Sequence, residues 1–476
     1  MDMPMTSVFP ARARSTLSDM PTLLQALREA AATMLAALAT LVCTWIIAPG
    51  PGSAVLAVVL TVSLSRSQLD RNVRGRLEAA FVLPLVGLAA LGVAMLLRFA
   101  PWFGAAAFVA GMFVSIWLRR FGPMARRAGS LIALPFVTLL TVPHVHVTQG
   151  GKLPAVLVPI IVALLALFWV AVCHLLVRRM PWRTSAEDAE PAASTPVRQN
   201  RSGLQASTRM AVQMAIALAA SFVAGYVFFS ERWAWIVLTA FVVNSGNRGR
   251  LDVVYKSGLR VLGAAVGTVF ALMFSLQTGF VGTHSGTLIL VAVFLGIWLR
   301  PFNYAWWALF ITIALALLQG FDGHQPSAIL LLRLEEILIG AIIGITAAWL
   351  VVPVRSTDVL RLRMAHALAA LSEAFDPQVS TRSIARFDDA LSQLDQMAPP
   401  FRATRLLTRR IHALQPADWI DALHACRTPA RGLITQGVAP GEVRRAIGTA
   451  RKAVKEPETL LPALKYLQGV LQGNAD

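Results

Sequence analysis

The sequence predicts an all-α polytopic membrane protein: about twelve transmembrane helices in two parallel six-helix repeats, followed by a C-terminal helical cytoplasmic domain. Three observations carry that prediction. The chain of 476 residues is 56% hydrophobic and only 14% charged, with a mean hydropathy of +0.62, too apolar for a protein whose surface faces water. A nine-residue phrase, FVSIWLRRF at Phe113 to Phe121, returns 181 positions later as FLGIWLRPF at Phe294 to Phe302, with six of nine residues identical and a rare Trp among them. Arginines gather in alternate loops between apolar segments, the pattern that membrane insertion imposes on Lys and Arg near helix ends.

A helix crossing a hydrocarbon core of about 30 Å needs about 20 apolar residues. The first half offers segments at Ala30–Ile47, Ser53–Ser65, Leu77–Leu97, Trp102–Leu118, Ala128–Val142 and Leu153–Val177. The second half offers Met210–Phe229, Trp233–Val243, Leu259–Leu276, Thr287–Leu299, Trp306–Gln319 and Ile329–Val352. The first apolar run reaches about 19 residues without the usual small-residue cleavage site, so it reads as a spanning helix rather than a signal peptide core.

One set of loops holds Arg66, Arg71, Arg74 and Arg76; Arg119, Arg120, Arg126 and Arg127; Arg178, Arg179 and Arg183; Arg248, Arg250 and Lys256; and Arg300. The opposite set holds little beyond Arg98, Lys152 and Arg232, which places both termini in the cytoplasm. The same offset sets Phe168 on Trp349, and with one residue of slack Leu69 and Asp70 on Leu251 and Asp252. Each unit has an even number of crossings, so both enter the membrane the same way up. The expected division is a cytoplasmic segment 1–26, repeat 1 over 27–180, a cytoplasmic linker 181–206, repeat 2 over 207–354 and a cytoplasmic helical domain 355–476.

In that last domain hydropathy falls, 17 of the chain's 43 Lys and Arg accumulate, and LRLRMAHALAALSEAF and SIARFDDALSQLDQM show helical spacing of apolar positions. The formal charge of +18 lies mostly at segment ends, and without a basic face interleaved with aromatics it does not describe a nucleic-acid partner. The basic character of the tail fits a face near anionic lipid. The three cysteines, Cys43, Cys173 and Cys426, are far apart and define neither a disulfide framework nor a metal knuckle.

Two six-helix units, the stretch RGRLDVVYKSGLRVLGAAVGTVF (Arg248 to Phe270) and the helical tail resemble the fusaric acid resistance-like family, bacterial membrane proteins related to aromatic carboxylic acid exporters. Gly258, Arg260, Gly263, Gly267 and Thr268 look like that family's Arg-containing helix followed by Gly-Thr; the first unit departs from it, reading RLEAAFVLPLVG with Glu78 near the place of Arg260. The resemblance implies efflux of small, often aromatic, organic acids, in some members with a periplasmic adaptor and an outer-membrane channel.

The residues themselves nominate a site. LLRLEEILIGAIIG, Leu331 to Gly344, puts three charges near one end of an apolar helix, where each costs about 2.5–3.5 kcal/mol at the bilayer centre. Arg333 and Glu336 are i, i+3 neighbours, and Glu336, Gly340 and Gly344 form one stripe of the kind that faces a packed neighbour, with Glu335 about 100° away. Arg333 is read as an anion contact and Glu336, with Glu335 beside it, as the proton-coupling group, because loss of water around a carboxylate favours its neutral form. The alternative is an Arg-Glu pair that anchors the helix at the interface.

The second and eighth segments are short at matching positions, about 13 and 11 apolar residues, the pattern of broken helices at a midplane site. The eighth opens with Trp233 and Trp235, either stacking groups for an aromatic acid or members of an interfacial belt, and ends in VVNSGNRGR with Asn244 and Arg248 as donors. Arg260 either attracts an anion or snorkels to lipid phosphate. His144 and His146 form the one close histidine pair, without an acidic or thiol partner nearby, so neither metal nor cofactor is expected, and no catalytic constellation appears.

The function expected is proton-linked export of small, aromatic carboxylic acids across a bacterial inner membrane, with a passive organic-anion channel or an envelope assembly protein as the alternatives. Expected partners are the organic anion and membrane lipid; an adaptor, an outer-membrane channel and a homo-oligomer are left open.

Overall fold

The structure, a computed structural model, describes residues 20–66, 73–141, 154, 157–179, 206–229, 232–278, 285–320, 326–376, 383–411, 415–438 and 440–474. His144, His146 and Lys152 lie outside them. The described residues are helical, with no strand among them. In chain order the apolar part contains α1 (Met20–Ile47), α2 (Pro51–Arg66), α3 (Val73–Phe99), α4 (Pro101–Trp117), α5 (Pro123–Thr141), α6 (Leu157–Arg179), α7 (Ala206–Phe228), α8 (Trp233–Asn244), α9 (Arg250–Thr278), α10 (Ser285–Leu299), α11 (Tyr304–Gly320) and α12 (Pro326–Leu350).

These helices stand where the apolar segments lie, and most run beyond them, because a polar turn ends hydropathy without ending the backbone pattern. α9 starts at Arg250, nine residues before the apolar run, with Asp252 in its first turn against the helix dipole. Six stretches are long and apolar enough to cross a membrane: Leu23–Ile47, Val82–Phe99, Pro101–Phe121, Leu157–Val177, Ser207–Phe228 and Arg250–Met273. Four apolar helices are shorter, and at 1.5 Å per residue the 12 residues of α8 reach only about 18 Å. α12 has 25 residues, but Arg333, Glu335 and Glu336 interrupt its apolar run.

The described residues divide into two compact units. The first draws on Met1–Thr184, Gly203–Val242 and Leu259–Ile343. Within it α1 and α2 pack on α6, α3 on α4 and α5, α4 on α7, and α10 on both α11 and α1. An aromatic cluster ties α4, α5, α7 and α8: Phe108 lies 5.4 Å from Phe136 and 5.5 Å from Phe222, whose ring is 5.2 Å from Trp233. Offset and edge contacts of this kind add to apolar burial. Hydroxyls in these helices bond back to the preceding turn, as Thr40 to the Ala36 carbonyl (2.8 Å) and Thr312 to the Ala308 carbonyl (2.7 Å), so they make no demand on solvent. Large side chains such as Ile46, Phe99, Phe103, Phe228 and Phe270 stand exposed on the outside. In water such a surface is costly; in a bilayer it is the ordinary lipid contact of a membrane protein.

The second unit draws on Ser185–Ser202, Val243–Gly258 and Gly344–Asp476. It contains α13 (Ser356–Ala374), α14 (Ala385–Asp395), α15 (Ala398–Thr408), α16 (Pro416–Ala425), α17 (Arg427–Thr435), α18 (Gly441–Ala453) and α19 (Pro457–Gly473), packed around Leu360, Met364, Leu371, Phe387, Trp419 and Leu464. The loop before α9 joins it. Gly249 has a φ of +126°, a conformation open to glycine, and a Cβ there would stand 2.5 Å from the Ser356 hydroxyl. That hydroxyl accepts the Leu251 N–H at 3.0 Å.

Candidate functional site

The site is built on the contact between α8 and α12 in the first unit. Gly340 permits it: a Cβ there would lie 2.6 Å from the Ile236 carbonyl oxygen and 2.8 Å from the Thr239 Cβ, so only glycine allows the backbones this close. The stripe that begins at Glu336 therefore faces inward. Glu336 is 1% exposed and Glu335 is exposed, the separation that helical spacing predicts.

The partners differ from the i, i+3 pair that the sequence suggests. The Glu336 carboxylate lies 3.3 Å from the Arg232 Nε, at ion-pair distance but without hydrogen-bond alignment. No ion pair joins Arg333 to Glu336. The reason is direction: side chains on a helix lean toward its N-terminus, and the entry to α8 presents both an arginine and an indole to this turn of α12. Arg333, 3% exposed, takes the indole, with its guanidinium carbon 3.7 Å from the centre of the Trp235 ring. Its two terminal nitrogens are buried and have no hydrogen-bond partner.

Arg260 of α9, also buried, meets α8 about one turn further along, at Thr239. Its Nε donates to the Thr239 hydroxyl and its Nη1 to the Tyr304 hydroxyl, both at a long 3.4 Å. Gly263 and Gly267, next on that face of α9, sit against Ala305, Ala308 and Leu309 of α11. Arg333 and Arg260 are near enough to act on one another electrostatically, as are Glu336 and Arg232.

The remaining sequence candidates are elsewhere. Trp233 packs in the aromatic cluster, 5.6 Å from Tyr226. Asn244 is buried in the second unit, where Arg248 donates through Nη2 to the Gln396 side-chain oxygen at 2.7 Å and through Nη1 to its carbonyl. Arg232, Thr239 and Tyr304 join the site without having been chosen from the sequence, since each contact spans chain segments that local spacing does not link. Among the described residues no cluster of His, Cys, Asp or Glu is arranged to hold a metal.

Chemically, the arrangement brings together a guanidinium whose terminal nitrogens have no hydrogen-bond partner, a second buried arginine and a buried carboxylate inside a helical, strongly apolar protein. Its sequence agrees: residues 214–347, which hold Trp233, Trp235, Asn244, Arg248, Arg260, Arg333, Glu335 and Glu336, match the family model described as fusaric acid resistance protein-like. That match supports the resemblance read from the Arg248 to Phe270 stretch, and the family suggests a role in membrane transport. No curated protein matches the chain.

Proposed function

We propose that this chain is an inner-membrane efflux transporter that exports small organic acids, aromatic carboxylates above all, in a proton-linked cycle. In this reading all twelve helices cross the bilayer as two parallel six-helix halves, with both termini in the cytoplasm. The observation that carries it is the Arg333 guanidinium, enclosed by apolar packing with both terminal nitrogens unpartnered. Glu336 acts on this cation electrostatically without bonding it; a buried guanidinium whose two terminal nitrogens lack hydrogen bonds is costly, and a planar carboxylate that takes both removes the cost. Arg260 supplies a second positive charge, on the N-terminal half of α9. Trp235 holds the guanidinium flat against its ring and so orients the two donors.

Glu336 is the proton-coupling group. Its carboxylate competes for the same positive field as the substrate, with Arg232 as its ion partner. Protonation of Glu336 removes that competition and frees Arg232, whereas loss of the proton restores it and weakens the hold on the substrate, so the charge state of Glu336 and substrate binding are linked. Glu335, exposed on the far face, takes no direct part.

The test is uptake of a radiolabelled aromatic acid into inverted vesicles under an imposed proton gradient, with Arg333→Ala and Glu336→Gln beside the parent. Gradient-driven uptake lost in both variants supports the exporter. Uptake indifferent to the gradient marks a passive anion channel, and no uptake across several acids, with envelope defects in a strain lacking the protein, marks an assembly role.

A further inference from the structure

Among α13 to α19, α15 ends in a surface that the other helices do not share. Leu406 and Leu407, in its last turn, are 84% and 82% exposed, and Ile411, in the turn that follows, is 74% exposed. Other large apolar side chains exposed in this region, such as Leu362, Val438 and Tyr466, stand singly. Three aliphatic side chains within six positions are a contiguous patch, which a water-facing surface does not ordinarily carry.

The charges around it are sorted. Arg402 and Arg405 turn back onto α16, where they meet Asp421 at 3.1 Å and Asp418 and Asp421 at 2.7 Å, so α15 is clamped to the unit. Arg409 and Arg410, between the leucines and Ile411, are exposed and have no acidic partner among the described residues. The tip thus joins apolar side chains to two unspent arginines, while residues 355–476 hold 17 Lys and Arg against 12 Asp and Glu.

We propose that this tip, Leu406, Leu407 and Ile411 flanked by Arg409 and Arg410, inserts into the headgroup region of an anionic lipid bilayer. The chemistry fits lipid better than protein: the apolar groups are aliphatic, without the Tyr or Trp anchors of protein interfaces, and the rim is purely cationic. The link to the apolar helices is short, since only residues 351–355 separate α12 from α13. The inference is independent of what the α8–α12 site carries.

The experiment uses the full chain in proteoliposomes, with a fluorophore on Leu407→Cys and the native cysteines replaced. One set of vesicles is phosphatidylcholine alone and the other contains a third phosphatidylglycerol, and each includes a lipid quencher placed shallowly in the acyl chain. The expected result is quenching at least threefold stronger in the anionic vesicles, with that excess removed by the double variant R409E/R410E. A label equally open to an aqueous quencher in both lipids, and indifferent to the charge reversal, overturns the proposal. Protection that follows protein density instead of lipid charge overturns it in favour of a second copy of the chain.

Discussion

α6 and α12, the sixth and twelfth helices of the apolar part, differ in what they bury. α6 packs on α1 and α2 through Val162, Ala166, Val170 and Leu64, with the Ser65 hydroxyl 3.0 Å from the His174 Nε2 near its end. α12 buries Arg333 and Glu336. At the 181-residue offset Arg333, Glu335 and Glu336 fall on Lys152, Pro154 and Ala155, ahead of the start of α6 at Leu157. One helix is packed through an apolar seam and the other buries charges that an apolar seam would replace at a gain in stability. On the proposed function, the charges in α12 answer a need other than folding.

Three tests sharpen that contrast. The largest effect is expected for Arg333→Met, which fills a similar volume without a charge: transport falls to background while thermal unfolding moves upward, by about 1–4 kcal/mol in stability. A variant that loses both transport and stability would return Arg333 to the role of an anchor. Next, Gly340→Val drives a branched side chain into the Ile236 carbonyl and Thr239, costing about 1–3 kcal/mol and separating α8 from α12. Its counterpart at the offset, Pro159 in the first turn of α6, tolerates alanine at under about 1 kcal/mol, since proline is at home in a first turn. Denaturation midpoints of the pair in one detergent decide between them. Third, Glu336→Gln keeps shape but not titration, so transport by this variant loses its dependence on external pH; a pH profile parallel to the parent's would remove the coupling role.

The smallest effect lies in the second unit and is set by acid. Burial, with the Arg363 guanidinium adding to it, holds His366 below its ordinary 6.5. Burial pushes Asp421 up, but hydrogen bonds from Arg405 and Arg402 outweigh it and leave the carboxyl below its ordinary 3.8. Both folded values are depressed, so both groups favour the folded state above the unfolded pKa and cease to as pH falls through the folded one. Amide exchange in α13 should therefore quicken first as pH drops below about 6.5 and again below about 4. His366→Leu removes the first step and leaves the second, whereas an unchanged first step assigns it elsewhere.

The sequence rules recovered what depends on period. Apolar runs located α1 to α12, and the i, i+4 stripe from Glu336 through Gly340 distinguished the buried acid from Glu335 one position before it. They missed what depends on direction and distance. Arg333 looked paired with Glu336 because spacing shows which residues share a face, whereas the competing indole and Arg232 come from another helix. Trp233 and Trp235 are two positions apart and looked equivalent, yet a helix turns them about 200° from each other, one into the Phe222 cluster and the other under Arg333. The GNRGR loop read as a donor strip for the site, and nothing local in it announced Gln396 or Ser356 as its partners.

The brevity of α8 also bears on how the protein is made. Twelve residues cannot span a bilayer alone, and α12 carries three charges that resist partition into lipid. When α12 leaves the ribosome, the indole of Trp235 and the Arg232 charge are its most favourable neighbours within the membrane. Because α8 precedes α12 in the chain, both groups are already made when α12 emerges.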